Sequence, residues 1–346
     1  MLRKEFFYSA AFVSALFPHA LSAANPYQAE VGAEYTDVSS NDFFGDGRSL
    51  ELYGTYYLNP VEAGEYPLSE AAFVSRASGI SALLNEQQVD APSNFLSGDA
   101  DAQGLALSGW YVHPESGWLI FGSISREESD YQTEEIEADA YSLSVGKYLW
   151  DTTTLVVGYA HKDEDIDIDF RSFHCAGFGC ADIVDPPNRE TDRASVAFRH
   201  LGQYSDYHYA VDVGYARETE EQYHWEQDND QYSFMFSAYP NRNTRIVLGF
   251  EKVNFRDRAL ADDTDTYRIG VEYFVTPAFA VFVSYEELKV DTDQMIPVFE
   301  PVTALSEDPF FGFFPDEPFV GILPPYRLEP VSLDTESLTV GARVRF

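Results

Sequence analysis

Basic residues are scarce in this chain: 22 Lys and Arg stand against 58 Asp and Glu, for a formal net charge of −36. Phosphate contacts need Lys and Arg, so nucleic acid is excluded as a partner. Long hydrophobic runs are also missing. After the N-terminal segment no stretch approaches the roughly 18 consecutive apolar residues of a membrane-crossing helix, which excludes the helical membrane proteins. Cysteine is nearly absent, and the two present, Cys175 and Cys180, enclose only Ala-Gly-Phe-Gly. In an oxidising compartment that spacing points to one small disulfide stiffening a loop tip, in preference to a metal site with His174. The 7 His are scattered, and no nucleophile motif accompanies His161. A nucleophile needs an adjacent base, so no enzyme is expected and no catalytic residue is assigned.

What is present begins at the ends. Arg3 and Lys4 precede the apolar run Phe6 to Phe17 and the small residues Ser22, Ala23 and Ala24. This is the layout of a signal peptide over residues 1–23, leaving 24–346 as the mature chain. The last residues, Leu338-Thr-Val340-Gly-Ala342-Arg-Val344-Arg-Phe346, alternate strictly between apolar and polar. A strand turns successive side chains to opposite faces, so this one has a greasy face and a polar face. Tyr and Phe number 23 and 27 against 4 Trp. High aromatic content with modest hydropathy suits a barrel whose outside is apolar and whose lumen is polar.

Alternation and turn residues predict an all-β chain of fourteen strands, within limits of twelve to sixteen, at 27–38, 48–58, 69–84, 101–113, 117–130, 137–150, 153–168, 190–202, 207–221, 229–240, 243–256, 263–275, 278–292 and 334–346. The third is the weakest, because Ala71-Ala-Phe-Val74 does not alternate and Gly79 interrupts it. Tight connections at His113–Gly117, Asp151-Thr152, Gly202–Asp206, Pro240–Asn243 and Thr276-Pro277 each lie between an even strand and the next odd one. Longer acidic connections, 39–47, 85–100, 169–189 and 293–333, lie at the other end. Such segregation predicts a closed antiparallel transmembrane β-barrel with short periplasmic turns and long extracellular loops.

The same alternation assigns faces. Ala29, Val31 and Ala33, or Tyr267, Ile269, Val271 and Tyr273, point outward, and Tyr35, Tyr56, Tyr111, Tyr148, Tyr239 and Phe274 are candidates for interfacial girdles. The inward faces carry Glu30, Glu34, Glu51, Asp212, Glu218, Glu251, Glu272 and Glu286 against Arg193, Arg199, Arg245, Arg268, Arg343 and Arg345. Charges of both signs fit a water-filled, pore-lining wall; the alternative is that they brace a plugged interior. Acidic density peaks at Glu127-Glu128, Glu134-Glu135, Asp163–Asp169, Glu218–Glu221 and Asp262-Asp263, assigned to the outside. Their summed field would favour cations. Asp165-x-Asp167-x-Asp169 starts like a Ca²⁺ loop, but Phe170 stands where the glycine belongs and the downstream Glu is missing, so no metal is assigned. The 293–333 segment combines a Pro-rich composition with Phe310-Phe-Gly-Phe-Phe314, too apolar for full solvation.

These features resemble the outer-membrane porins of Gram-negative bacteria, and Asn59-Pro-Val with Pro67–Phe73 resembles the second and third strands of a poorly characterised porin group. The resemblance implies passive diffusion of small hydrophilic solutes or ions through an outer-membrane channel, and recognition of Phe346 by the barrel-assembly machinery. Outer-membrane lipid and lipopolysaccharide would be its other partners, no cofactor is implied, and monomer and homotrimer both stay open. A non-conducting structural or adhesive barrel, working through its acidic loops, is the competing expectation. The fatty-acid channels also use fourteen strands but carry an N-terminal plug, for which residues 24–28 leave no room.

Overall fold

The computed structural model describes residues 26–40, 46–62, 64–90, 99–131, 134–168, 188–222, 225–255, 263–290 and 333–346. Its strands are β1 (Tyr27–Ser40), β2 (Asp46–Val61), β3 (Gly79–Asp90), β4 (Asp99–Val112), β5 (Trp118–Tyr131), β6 (Glu134–Trp150) and β7 (Thr153–Ile168). The second half holds β8 (Arg189–Tyr204), β9 (Tyr207–Gln222), β10 (Trp225–Asn241), β11 (Thr244–Phe255), β12 (Thr264–Thr276), β13 (Phe279–Val290) and β14 (Leu333–Arg345). Each strand pairs with its sequence neighbours, and β1 pairs with β14 to close the barrel. The seam runs antiparallel from Glu30 opposite Arg345 to Ser40 opposite Thr335. Beyond it, the Phe346 carbonyl accepts from the amides of Gln28 and Ala29, at 3.0 and 2.8 Å. A closed sheet leaves no edge, which is what lets backbone amides lie in hydrocarbon.

The outer surface is what lipid requires. Leu52, Ile80, Leu107, Ile124, Leu143, Val157, Phe234, Leu248 and Ile269 are all exposed. Tyr56, Tyr111, Trp118, Trp150, Tyr204, Tyr207 and Tyr273 ring the periplasmic end, and Tyr35, Tyr141, Tyr159, Tyr232, Tyr267 and Tyr285 ring the other. Such aromatic belts sit where hydrocarbon meets headgroups.

Strand lengths explain where the acids go. A transmembrane strand needs about 9–11 residues, whereas β6 and β10 have 17. The turns at 113–117, 151–152, 205–206, 242–243 and 277–278 are tight, so the surplus projects on the extracellular side. Glu127-Glu128, Glu134-Glu135, Asp163 to Asp167 and Glu218 to Glu221 therefore stand on strands, not in loops. The expected extracellular loop 85–100 shrinks accordingly, to 91–98. Residues 1–25, the Cys175–Cys180 pair, Asp169, Asp262 and 291–332 lie outside the described residues.

One expected element is replaced. The third strand starts at Gly79, and the N-terminal part of 69–84 is a 3-10 turn, Leu68–Glu70, running into the short helix α1 (Ala71–Val74). The non-alternating Ala-Ala-Phe-Val run has no greasy and polar face to offer a sheet, and it coils instead. Arg76, at φ 50°, ends the helix in the left-handed region that glycine usually fills. This β2–β3 connection is the exception to the short periplasmic turns, and it folds into the barrel.

Candidate functional site

The segment 64–78 enters the periplasmic mouth and reaches wall to wall. At one side the Trp110 indole donates to the Ala77 carbonyl at 2.7 Å, and the Val112 amide donates to Ser78 Oγ at 2.9 Å. The Tyr148 hydroxyl donates to the Phe73 carbonyl at 2.9 Å. Arg76 pairs with Asp151 in the β6–β7 turn at 2.8 Å, its guanidinium lying over the Tyr148 ring. Across the mouth, the Leu68 amide donates to the Arg242 carbonyl at 2.9 Å, and the Leu68 carbonyl accepts from Arg345 Nη1 at 2.8 Å. Five of the barrel's hairpin ends or strands are thus tied to one short stretch of chain.

Burial concentrates there. Leu68, Ala71, Ala72 and Phe73 join Tyr27, Tyr57, Val61, Trp110, Leu119, Phe121, Tyr148, Leu201, Tyr239 and Phe274 in a hydrophobic cluster. The three expected girdle residues Tyr148, Tyr239 and Phe274 are therefore lumen-facing, and only Tyr35, Tyr56 and Tyr111 of that set face lipid. Parity carried the signal: Tyr141, Leu143 and Val145 point outward, so Tyr148 points inward. Likewise Phe236 puts Tyr239 inside, and Tyr273 puts Phe274 inside. Fully burying a Leu or Phe contributes about 1.5–3 kcal/mol.

At the centre of the contact is Glu70, fully buried. Arg199 Nη2 lies 2.7 Å from both of its carboxylate oxygens, and the Tyr239 hydroxyl also donates to it. Arg199 Nε stands 3.5 Å from Asp212, and its guanidinium lies 4.9 Å above the Phe73 ring. Burial alone would push the Glu70 carboxyl up; the charges of Arg199 and Arg245 and the hydrogen bonds from Tyr239 and Arg199 outweigh it and hold the group below its ordinary range. Glu70 was absent from the residues expected to work in the lumen, because its stretch was read as strand.

The expected pore-lining residues all stand on the inner face, in two tiers. In the periplasmic tier Glu30 bridges Arg345 Nε at 2.5 Å and Arg343 Nη1 at 3.3 Å, while Arg343 also pairs with Glu272. Arg343 and Arg345 lie over the Phe274 ring at 5.1 and 4.7 Å. Arg245 donates to Ser237 Oγ at 3.1 Å. Glu34 and Glu51 face each other across β1 and β2, both buried. In the extracellular tier Arg268 and Glu286 pair at 2.7 Å, Arg193 donates to Gln231, and Gln231 donates to Glu251 at 2.7 Å. Glu218 accepts from Asn229 at 3.4 Å. This tier also holds Glu127 and Glu164, the latter bonded to Lys162 at 2.8 Å and to Arg189.

Comparison with known proteins gives a consistent placement. Residues 7–295 match the model of the family described as "putative general bacterial porin". No curated protein matches the sequence. Among solved structures, the outer membrane protein Omp33 of Acinetobacter baumannii is 17% identical, with a TM-score of 0.50 over 93% of this chain and 99% of that one. The monoaromatic hydrocarbon channel CymD is 11% identical, at TM-score 0.49 over 93% and 89%. A Pseudomonas aeruginosa FadL homologue is 10% identical, at TM-score 0.47 over 95% and 92%. At 17% identity the likeness to Omp33 speaks to the fold alone.

Proposed function

The chain belongs to the general bacterial porin family of the Gram-negative outer membrane, and from that premise we propose that it is a passive channel which rests closed, with segment 64–78 as its removable stopper. The supporting observation is a lumen lined with ionisable groups around a segment that is no part of the sheet and is held to the wall by side-chain and loop contacts. A permanently sealed barrel gains nothing from buried charge, since matched apolar packing is as stable or better. A lumen that fills with water when the stopper leaves has a use for every one of those groups.

The permeant class is small hydrophilic solutes, with cations favoured at the outer entrance. There Glu127, Glu164, Glu218, Glu220, Glu251 and Glu286 outnumber Lys162, Arg189, Arg193 and Arg268 on inner-facing positions. A cleft lined by one sign of charge concentrates counter-ions. No catalytic step is assigned. Outer-membrane lipid and lipopolysaccharide surround the barrel, and the assembly machinery reads Phe346, the residue that follows β14.

Planar-bilayer recording under a KCl gradient tests this. Wild type is expected to open rarely, and the double variant Glu70→Ala/Phe73→Ala to conduct steadily with a cation-favouring reversal potential. Silence from the double variant, shown by heat-modifiable electrophoretic mobility to be folded and inserted, overturns the channel. It would favour the second reading, a non-conducting structural or adhesive barrel, for which the apolar cluster around α1 is the supporting observation.

A further inference from the structure

We infer that the socket holding Glu70 and Phe73 is itself a ligand site, and that its ligand is a small carboxylate carried on an aromatic body, competing with the segment for the same wall. The inference rests on reading 64–78 as removable. Glu70 takes its hydrogen bonds from the barrel wall: Arg199 on β8 stands 2.7 Å from both oxygens, and Tyr239 on β10 donates as well. Phe73, three residues on, lies under the Arg199 guanidinium at 4.9 Å and against the Tyr148 ring at 5.4 Å. Residues three apart in a helical stretch share a face, so the segment presents a carboxylate and a phenyl ring side by side.

The wall is complementary to that pair without the segment. Arg199 stands there beside Asp212, Arg245 stands opposite Glu272, and Glu70 adds the carboxylate that Arg199 holds through both oxygens. When the segment leaves, the guanidinium groups keep their positions on rigid strands beside a phenol and an apolar shelf. Charge-assisted Arg–carboxylate bonds are among the strongest hydrogen bonds in proteins. A concave, mostly apolar site with a few converging polar groups is what small organic ligands use. An arylalkanoate offers both halves of what Glu70 and Phe73 offer. Its binding excludes the stopper, so the ligand opens the channel it enters.

Calorimetric titration of 3-phenylpropionate into the refolded full chain carrying Glu70→Ala and Phe73→Ala tests the site, with 3-phenylpropanamide as the uncharged control. Relieved of its internal competitor, the variant is expected to bind at least about tenfold more tightly than wild type. The amide is expected not to bind, and adding Arg199→Gln is expected to abolish binding of the acid. Equal affinity for wild type and variant, equal affinity for the amide, or indifference to Arg199→Gln overturns the proposal. A second readout covers a variant that fails to refold: maleimide labelling of Ser69→Cys, in a chain with Cys175→Ser and Cys180→Ser. The acid is expected to speed labelling of that buried position several-fold, and no acceleration counts against the site. Conductance separates the two readings. A variant that conducts but ignores the acid keeps the channel and loses the ligand, and one that binds the acid but stays silent does the reverse.

Discussion

At the periplasmic end the lumen is packed by Leu68, Phe73, Tyr148, Tyr239 and Phe274 and laced by Glu70–Arg199 and Glu30–Arg345; at the extracellular end the same strands carry Glu128, Glu137, Asp139 and Asp163 into solvent. Both ends are rich in charge, yet burial divides them. At the inner end Glu70 is matched by Arg199, and Glu30 by Arg343 and Arg345, because removing ions from water is expensive. The outward-facing charges at the outer end, Glu128, Glu137, Asp139 and Asp163, are hydrated, and their pairs, such as Arg126 with Glu137, are exposed contacts worth little. On the proposed channel reading, the packed end would decide permeability and the acidic end would set which ions arrive.

The comparison breaks most completely if the stopper loses both anchors. Glu70→Ala/Phe73→Ala removes an aromatic worth about 3–5 kcal/mol on truncation, together with the stopper's charge-assisted bonds. Single-channel recording is expected to show the largest rise in open time for this variant. Arg199→Gln comes next: it strands Glu70 in a buried site, a loss of about 3–5 kcal/mol, and raises open probability while leaving barrel content by circular dichroism unchanged.

Acid gives a smaller effect of the same sign. The groups facing Glu70 from the wall are Arg199 on β8, Asp212 on β9, Tyr239 on β10 and Arg245 on β11. With its pKa held below the ordinary 4.5, Glu70 contributes docking stability that is complete above that ordinary value and lost as pH falls through the lowered one. Openings are expected to increase as pH falls through that lowered pKa and not at neutral pH. A wild-type record with no opening induced by acid, from a barrel still folded, would separate docking from the Glu70 charge.

At the other end, Glu127→Gln with Glu218→Gln is expected to move the reversal potential toward zero, with conductance changed less than about twofold. Smallest of all is Trp150→Ala in the lipid-facing belt, 68% exposed. It is expected to lower the urea midpoint by the equivalent of about 1 kcal/mol without touching conductance. A conductance change there would mean that the belt and the stopper are coupled.

Much of this architecture was legible in the chain. The period-two pattern in Tyr267-Arg-Ile269-Gly-Val271-Glu-Tyr273 identifies a strand and its lipid face at once, and β12 runs through it as expected. Inner-face positions of Glu30, Arg199, Arg245 and Arg343 followed from the same parity. A strand over 69–84 hides the inserted segment, and the signal for it is the failure of Ala71-Ala-Phe-Val74 to alternate. Tyr148, Tyr239 and Phe274 were assigned to girdles by closeness to strand ends, where parity would have turned them inward.

The sequence by itself determined the strands, their faces, the closing β14 and the polar lumen, because each follows from local alternation and from turn residues. Only the tertiary structure decided that segment 64–78 packs inside the periplasmic end. Glu70 and Arg199 are 129 residues apart in sequence, and Glu30 and Arg345 are 315 apart. No local pattern relates such pairs, and closure of the sheet is what brings them within a hydrogen bond of each other.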